Sequence, residues 1–140
     1  MVVNEEILIN AELEKVYKIA ETYPLFVSFY KEKKISSNRN NKIFLSICSS
    51  IFGIPFRWEG EGTKGPYNLI EYKQTKGLLK GMSSVWYFTK IDNRTKVKIK
   101  NEIKIRLFFF GGLVEWIIGI FIIKHMLKKI LFSLKEIAEK

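Results

Sequence analysis

From Lys33 to Arg106 apolar and polar residues alternate with period two, interrupted by turn-forming residues at Asn38–Asn41, Gly53–Pro55, Gly65-Pro66, Gly77–Gly81 and Asp92-Asn93. That pattern predicts six strands. The clearest runs from Thr95 to Ile105, where Val97, Ile99, Asn101, Ile103 and Ile105 alternate with Lys96, Lys98, Lys100, Glu102 and Lys104. One face is dry and the other wet, as in an antiparallel sheet covered on one side. The same alternation places Ile43, Leu45, Ile47, Ser49 and Ile51 on one face, with Phe56 and Trp58, with Ile70, Tyr72 and Gln74, and with Trp86 and Phe88.

The ends of the chain are patterned differently. Glu6 to Ala11 predict a short strand, and Leu13, Val16, Tyr17 and Ala20 then recur at helical spacing over Glu12 to Ile19. Tyr23-Pro24 closes that helix, since the residue before proline avoids helical geometry. Leu25 to Tyr30 predict a second short apolar helix. Beyond Phe110, Leu113, Ile117, Ile120, Lys124, Leu127, Leu131 and Leu134 recur at three or four, so one long helix ends the chain and needs an apolar surface to lie on. The predicted fold class is α+β: a curved antiparallel sheet of about seven strands, two short helices, and a long C-terminal helix over its concave face, in a single domain spanning residues 1–140.

Composition narrows the function. Twenty-four Lys and Arg against 14 Asp and Glu give a net charge of +10 in 140 residues, which suits phosphate-bearing partners such as an anionic membrane surface or RNA. The single Cys48 excludes an intramolecular disulfide and a cysteine zinc site, and the acidic start Asn4-Glu5-Glu6 is unlike a secretory signal. A cytoplasmic protein is expected, with peripheral attachment to a membrane as the variant. Leu107 to Ile123 has 17 residues with Glu115 as its lone charge. A transmembrane span would bury that carboxylate at a cost of about 2.5–3.5 kcal/mol, and Gly111, Gly112 and Gly119 weaken it further. A core helix explains one stripe only; Ile118 and Ile122 fall near the Glu115 side and point to a membrane, lipid-entry or dimer surface.

Enzyme chemistry finds little support. Gly60-Glu61-Gly62 lacks the spacing of a nucleotide fingerprint, and no cofactor motif is present. The one histidine, His125, sits among Lys124, Lys128 and Lys129 with no acid or cysteine beside it, which reads as a surface residue. Glu59 and Glu61, at strand spacing, share a face and are expected to point to water. No catalytic residue and no metal ligand set is assigned. Two amides do stand out: Gln74 and Asn101 lie on otherwise apolar faces, and buried amides require partners. One account is a neighbouring side chain or water, the other a polar contact in a ligand cavity.

Ala11 with Val16-Tyr17, Tyr23-Pro24 with Phe26, Gly77-Leu78-Leu79-Lys80-Gly81 leading into Trp86-Tyr87-Phe88, and Thr95-Lys96-Val97 together resemble the START-like helix-grip (SRPBCC) superfamily. Within it the chain is most similar to the polyketide cyclase/dehydrase and coenzyme Q-binding branch. The resemblance implies a hydrophobic cavity between sheet and long helix that holds a lipid, quinone or polyketide-like molecule, without a cofactor. On that reading Trp58, Ile70, Tyr72, Trp86, Phe88, Ile99, Ile103, Trp116 and Ile120 line the cavity, and Gln74 and Asn101 orient the ligand's polar end. Two alternatives remain: a cyclase/aromatase-type enzyme using Glu59, Glu61 or Tyr72, and a ribosome- or RNA-associated regulator of the related toxin group, contacting its partner through Lys96, Lys98, Lys100 and Lys104.

Overall fold

The computed structural model describes residues 2–22, 30–37, 42–51, 54–65, 69–76, 82–102 and 112–140. It contains strands β1 (Val2–Ile9), β2 (Tyr30–Ser37), β3 (Lys42–Ile51), β4 (Ile54–Gly65), β5 (Leu69–Lys76), β6 (Ser83–Ile91) and β7 (Arg94–Glu102). Helices α1 (Leu13–Ala20) and α2 (Gly112–Ala138) complete the described elements. All seven strands form one antiparallel sheet in the order β1-β7-β6-β5-β4-β3-β2. Strands β2 to β7 pair with their sequence neighbours. The chain therefore crosses from one sheet edge to the other between β1 and β2, and α1 lies on that crossing. The expected short helix over Leu25 to Tyr30 falls largely outside the described residues; Tyr30 itself begins β2.

The hairpin between β6 and β7 turns on Asp92-Asn93, with Asp92 at φ 54°. Asp tolerates that left-handed geometry because its short side chain bonds locally. Register shifts at Tyr30/Glu32 and Glu59/Gly60 insert irregularities that bend a twisted sheet.

The core forms where α2 meets the sheet. Ile123, Leu127, Ile130, Leu131, Leu134 and Ala138 recur at helical spacing and are buried against Val3, Ile9, Val16, Ala20, Val97 and Ile99. Each large aliphatic side chain removed from water contributes about 1.5–3 kcal/mol. The last turns of α2 are also tied to β1: Lys135 Nζ donates to the Leu8 carbonyl (2.9 Å) and to Glu139 Oε1 (2.8 Å), and the Asn10 N–H donates to Glu139 Oε1 (2.8 Å).

Strand β1 starts four residues before the expected Glu6 and stops at Ile9 rather than Ala11. A glutamate is an unusual occupant of a strand's inner face, yet Glu5 takes that position because Lys124 of α2 reaches it (3.8 Å). Asn10 and Ala11 leave the ladder because their backbone groups bond elsewhere, the Ala11 carbonyl accepting from buried Thr95 Oγ1 at 2.9 Å.

Candidate functional site

Antiparallel pairing puts directly opposed residues on the same face, so the register defines the inner surface row by row. One row runs Val3, Asn101, Ser84, Tyr72, Gly62, Ile43 across six strands. The next runs Glu5, Ile99, Trp86, Ile70, Lys64, and a third joins Ile7, Val97 and Phe88. The helix-facing wall is thus apolar along its middle and polar at chosen points.

The aromatic side chains of this wall touch in sequence. Tyr17 of α1 meets Phe88 edge-on (centroids 5.1 Å), Phe88 lies 6.5 Å from Trp86, and Trp86 meets Tyr72 edge-on at 5.9 Å. Such pairs favour edge-to-face geometry because ring edges are positive and faces negative. Gly62 makes room for the last ring: a Cβ there would stand 2.6 Å from Tyr72 Cε1.

Of the residues expected to line a cavity, Ile70, Tyr72, Trp86, Phe88 and Ile99 are buried on this wall, and Ile120 is partly buried against the same core. Gln74 and Asn101 are buried there too. Gln74 Nε2 donates to the Lys76 carbonyl (3.3 Å), and its backbone N–H to the Met82 carbonyl (2.9 Å). Asn101 Oδ1, by contrast, is fully enclosed and has no hydrogen-bond partner among the described residues. An enclosed acceptor left unbonded costs about 1–3 kcal/mol. Ile103 and the side chains of Trp58 and Trp116 lie outside the described residues.

Glu59 and Glu61 sit on the opposite, outer face. Glu61 is across from exposed Lys73, and Glu59 pairs with Lys76 at 3.5 Å. On the same outer face Lys98 and Lys100 are exposed and Lys96 pairs with Glu6 at 3.2 Å, whereas Lys104 lies outside the described residues.

Two ion pairs on the inner side escaped sequence reasoning, and they cap the two ends of one row. At the β1 end Glu5 pairs with Lys124 of α2; at the β4 end Lys64 Nζ lies 3.6 Å from Glu21 Oε1, just past α1. The signal existed in the alternation. Glu5 stands in phase with Val3, Ile7 and Ile9, and Lys64 with Gly60 and Gly62. Beside the second pair, the Tyr17 hydroxyl donates to the Leu69 carbonyl at 3.4 Å. Burial, then the Glu21 carboxylate, raises the pKa of Tyr17, and the same two causes in the same order raise that of Tyr72 well above the ordinary phenol range. Both phenols are therefore neutral near pH 7, suited to hydrogen bonding rather than to acting as bases. No group of three or more His, Cys, Asp and Glu that would hold a metal occurs among the described residues, and no described helix is long and apolar enough to cross a membrane.

A sheet gripping a long C-terminal helix, with an apolar inner wall, is the architecture of the START-like helix-grip superfamily. The model of one family in it, polyketide cyclase / dehydrase and lipid transport, matches residues 9–127, and the chain belongs to that family. No curated protein sequence matches. Solved structures repeat the fold over nearly the whole chain: a Thermus thermophilus protein, TTHA0849, is 18% identical with a TM-score of 0.85, covering 97% of this chain and 95% of that one. The Zhui aromatase/cyclase from Streptomyces sp. R1128 is 14% identical with a TM-score of 0.82, covering 99% and 93%. A START superfamily protein from Mycobacterium smegmatis is 16% identical with a TM-score of 0.75, covering 97% and 98%. At these identities the likeness is one of fold.

Proposed function

We propose that the chain is a non-enzymatic binding protein for a hydrophobic small molecule, a lipid, quinone or polyketide-like compound, held between the sheet and α2. Asn101 carries this reading. Its Oδ1 is an unbonded acceptor on an apolar wall, flanked in register by Val3 and Ser84, and a ligand that parts the side chains enclosing it and donates a hydroxyl to it would remove the cost of leaving it unbonded. Ile70, Trp86, Ile99 and Ile120 would supply apolar contact, with Trp58, Ile103 and Trp116 as further lining and Gln74 as a second polar contact. Cys48 as the lone cysteine suits a reducing, cytoplasmic setting.

Family membership makes cyclase activity the second reading, and the aromatase/cyclase among the similar structures keeps it in view. Against it stand the neutral phenol of Tyr72, the outward Glu59 and Glu61, and a Glu5 already paired with Lys124.

Native mass spectrometry of the purified protein, followed by denaturing extraction, tests the proposal. The expected result is a stoichiometric apolar molecule in wild type that is lost in Asn101→Leu, while the variant's unfolding free energy without ligand rises by about 1 kcal/mol or stays level. An empty wild type that also fails to take up quinones and fatty acids would refute it. So would an Asn101→Leu variant that is strongly destabilised yet keeps its cargo, since the amide would then be purely structural.

A further inference from the structure

The outer side of α2 carries a feature that the interior does not explain. Phe121 is 72% exposed and Phe132 57%. They stand eleven residues apart, with His125 and Lys128 between them at spacings of four, three and four, and all four residues are exposed. In a helix rising about 1.5 Å per residue this is one straight ridge roughly 16 Å long. Exposed Lys129 flanks it on one side and Lys124, whose ammonium lies 3.8 Å from Glu5 of β1, on the other; along α2 itself Glu136 lies a turn beyond Phe132. A single exposed phenylalanine needs no explanation. Two on one ridge, with cations between and beside them, do.

We propose that this ridge docks the protein on an anionic lipid bilayer, with the two phenyl rings entering the boundary between headgroups and acyl chains and the lysines meeting lipid phosphates. Aromatic and basic residues interleaved on one helix face are the arrangement that lies in the membrane interface. The net charge of +10 favours an anionic surface over a zwitterionic one. A protein partner fits less well, because lysine is depleted from the cores of protein interfaces. A nucleic acid also fits less well: single strands are tracked by a basic groove, and this is a convex ridge. The inference does not depend on what the interior holds.

The test is co-sedimentation of the full chain with phosphatidylcholine vesicles, with and without phosphatidylglycerol. Binding is expected to the anionic vesicles only and to fall with added salt, because exposed charges are screened. The double variant Phe121→Ala/Phe132→Ala should lower partitioning at least about tenfold through lost apolar burial, and Lys128→Glu/Lys129→Glu should abolish the preference for anionic lipid. These residues are exposed, so both variants should keep the wild-type urea midpoint, which is measured alongside. Absence of vesicle binding, or binding unchanged in both variants, overturns the proposal. Self-association in sedimentation velocity that the phenylalanine variant abolishes would assign the ridge to a second copy of the chain instead. RNA retention lost in the lysine variant but kept in the phenylalanine variant, without vesicle binding, would assign it to nucleic acid.

Discussion

Gly62→Ala offers a sharp test of how the inner wall is built. The added Cβ would lie 2.6 Å from Tyr72 Cε1, 2.8 Å from Tyr72 Cδ1 and 3.4 Å from Ile43 Cβ. Carbon atoms sit comfortably at about 3.5–4.0 Å, so the ring must retreat by roughly an ångström. It has little room to do so, because Tyr72 is only 6% exposed and its ring is packed edge-on against Trp86 at 5.9 Å. Overpacking a filled core costs about 1–3 kcal/mol, while alanine recovers about 0.4–1 kcal/mol by restricting the unfolded chain. The expected net loss is about 1–2 kcal/mol. With a urea slope of about 1–3 kcal/mol per molar, the midpoint should fall by roughly 0.5–1 M. Urea melts followed by tryptophan fluorescence measure this, and the decisive comparison is the same substitution in a Tyr72→Leu background. There the alanine should cost almost nothing, giving a coupling energy of about 1 kcal/mol or more between the two positions. An equal cost in both backgrounds would refute the claim that Gly62 exists to seat the Tyr72 ring.

Two titrations probe the polar groups. Burial and Glu21 hold the Tyr72 phenol protonated beyond the ordinary range, so stability linked to it is present below the usual phenol pKa and lost as pH rises past it. Phenolate absorbance should therefore show one tyrosine that ionises only with alkaline unfolding, and Tyr72→Phe should remove that late step while Glu21→Gln moves it to lower pH. At the C-terminal end of α2, the Lys135 ammonium and the Asn10 N–H lower the pKa of Glu139. Its contribution is then present above the ordinary glutamate range and lost as pH falls through the depressed value. The stability difference between wild type and Glu139→Gln should be largest near neutrality and vanish in acid; a constant difference across the range would show that the carboxylate is not the titrating group.

Much of the wall is legible in the alternation of the sequence. Ile70, Tyr72 and Gln74, Trp86 and Phe88, and Val97, Ile99 and Asn101 each follow a period of two, and a strand with one dry face admits few other patterns. Asn101 announced itself as an amide among isoleucines. Glu5 and Lys64 did not, although they keep the same phase, because a charge at an inner position reads as a break in the strand unless its partner is known. Those partners are Lys124 and Glu21, 119 and 43 positions away in the sequence. Phe121 and Phe132 look like core residues in a helix so apolar, and which of its sides meets water is a property of the packed sheet.

The sequence by itself determined which residues alternate, which helix closes the chain and which family it belongs to, because periodicity is written locally and survives any arrangement of the elements. Only the tertiary structure decided that Glu5, Ile99, Trp86, Ile70 and Lys64 form one row, that Gly62 yields its space to Tyr72, and that Asn101 Oδ1 is sealed from water. Those facts depend on register and on the seat of α2 against β1, and both are set by contacts between residues far apart in the chain.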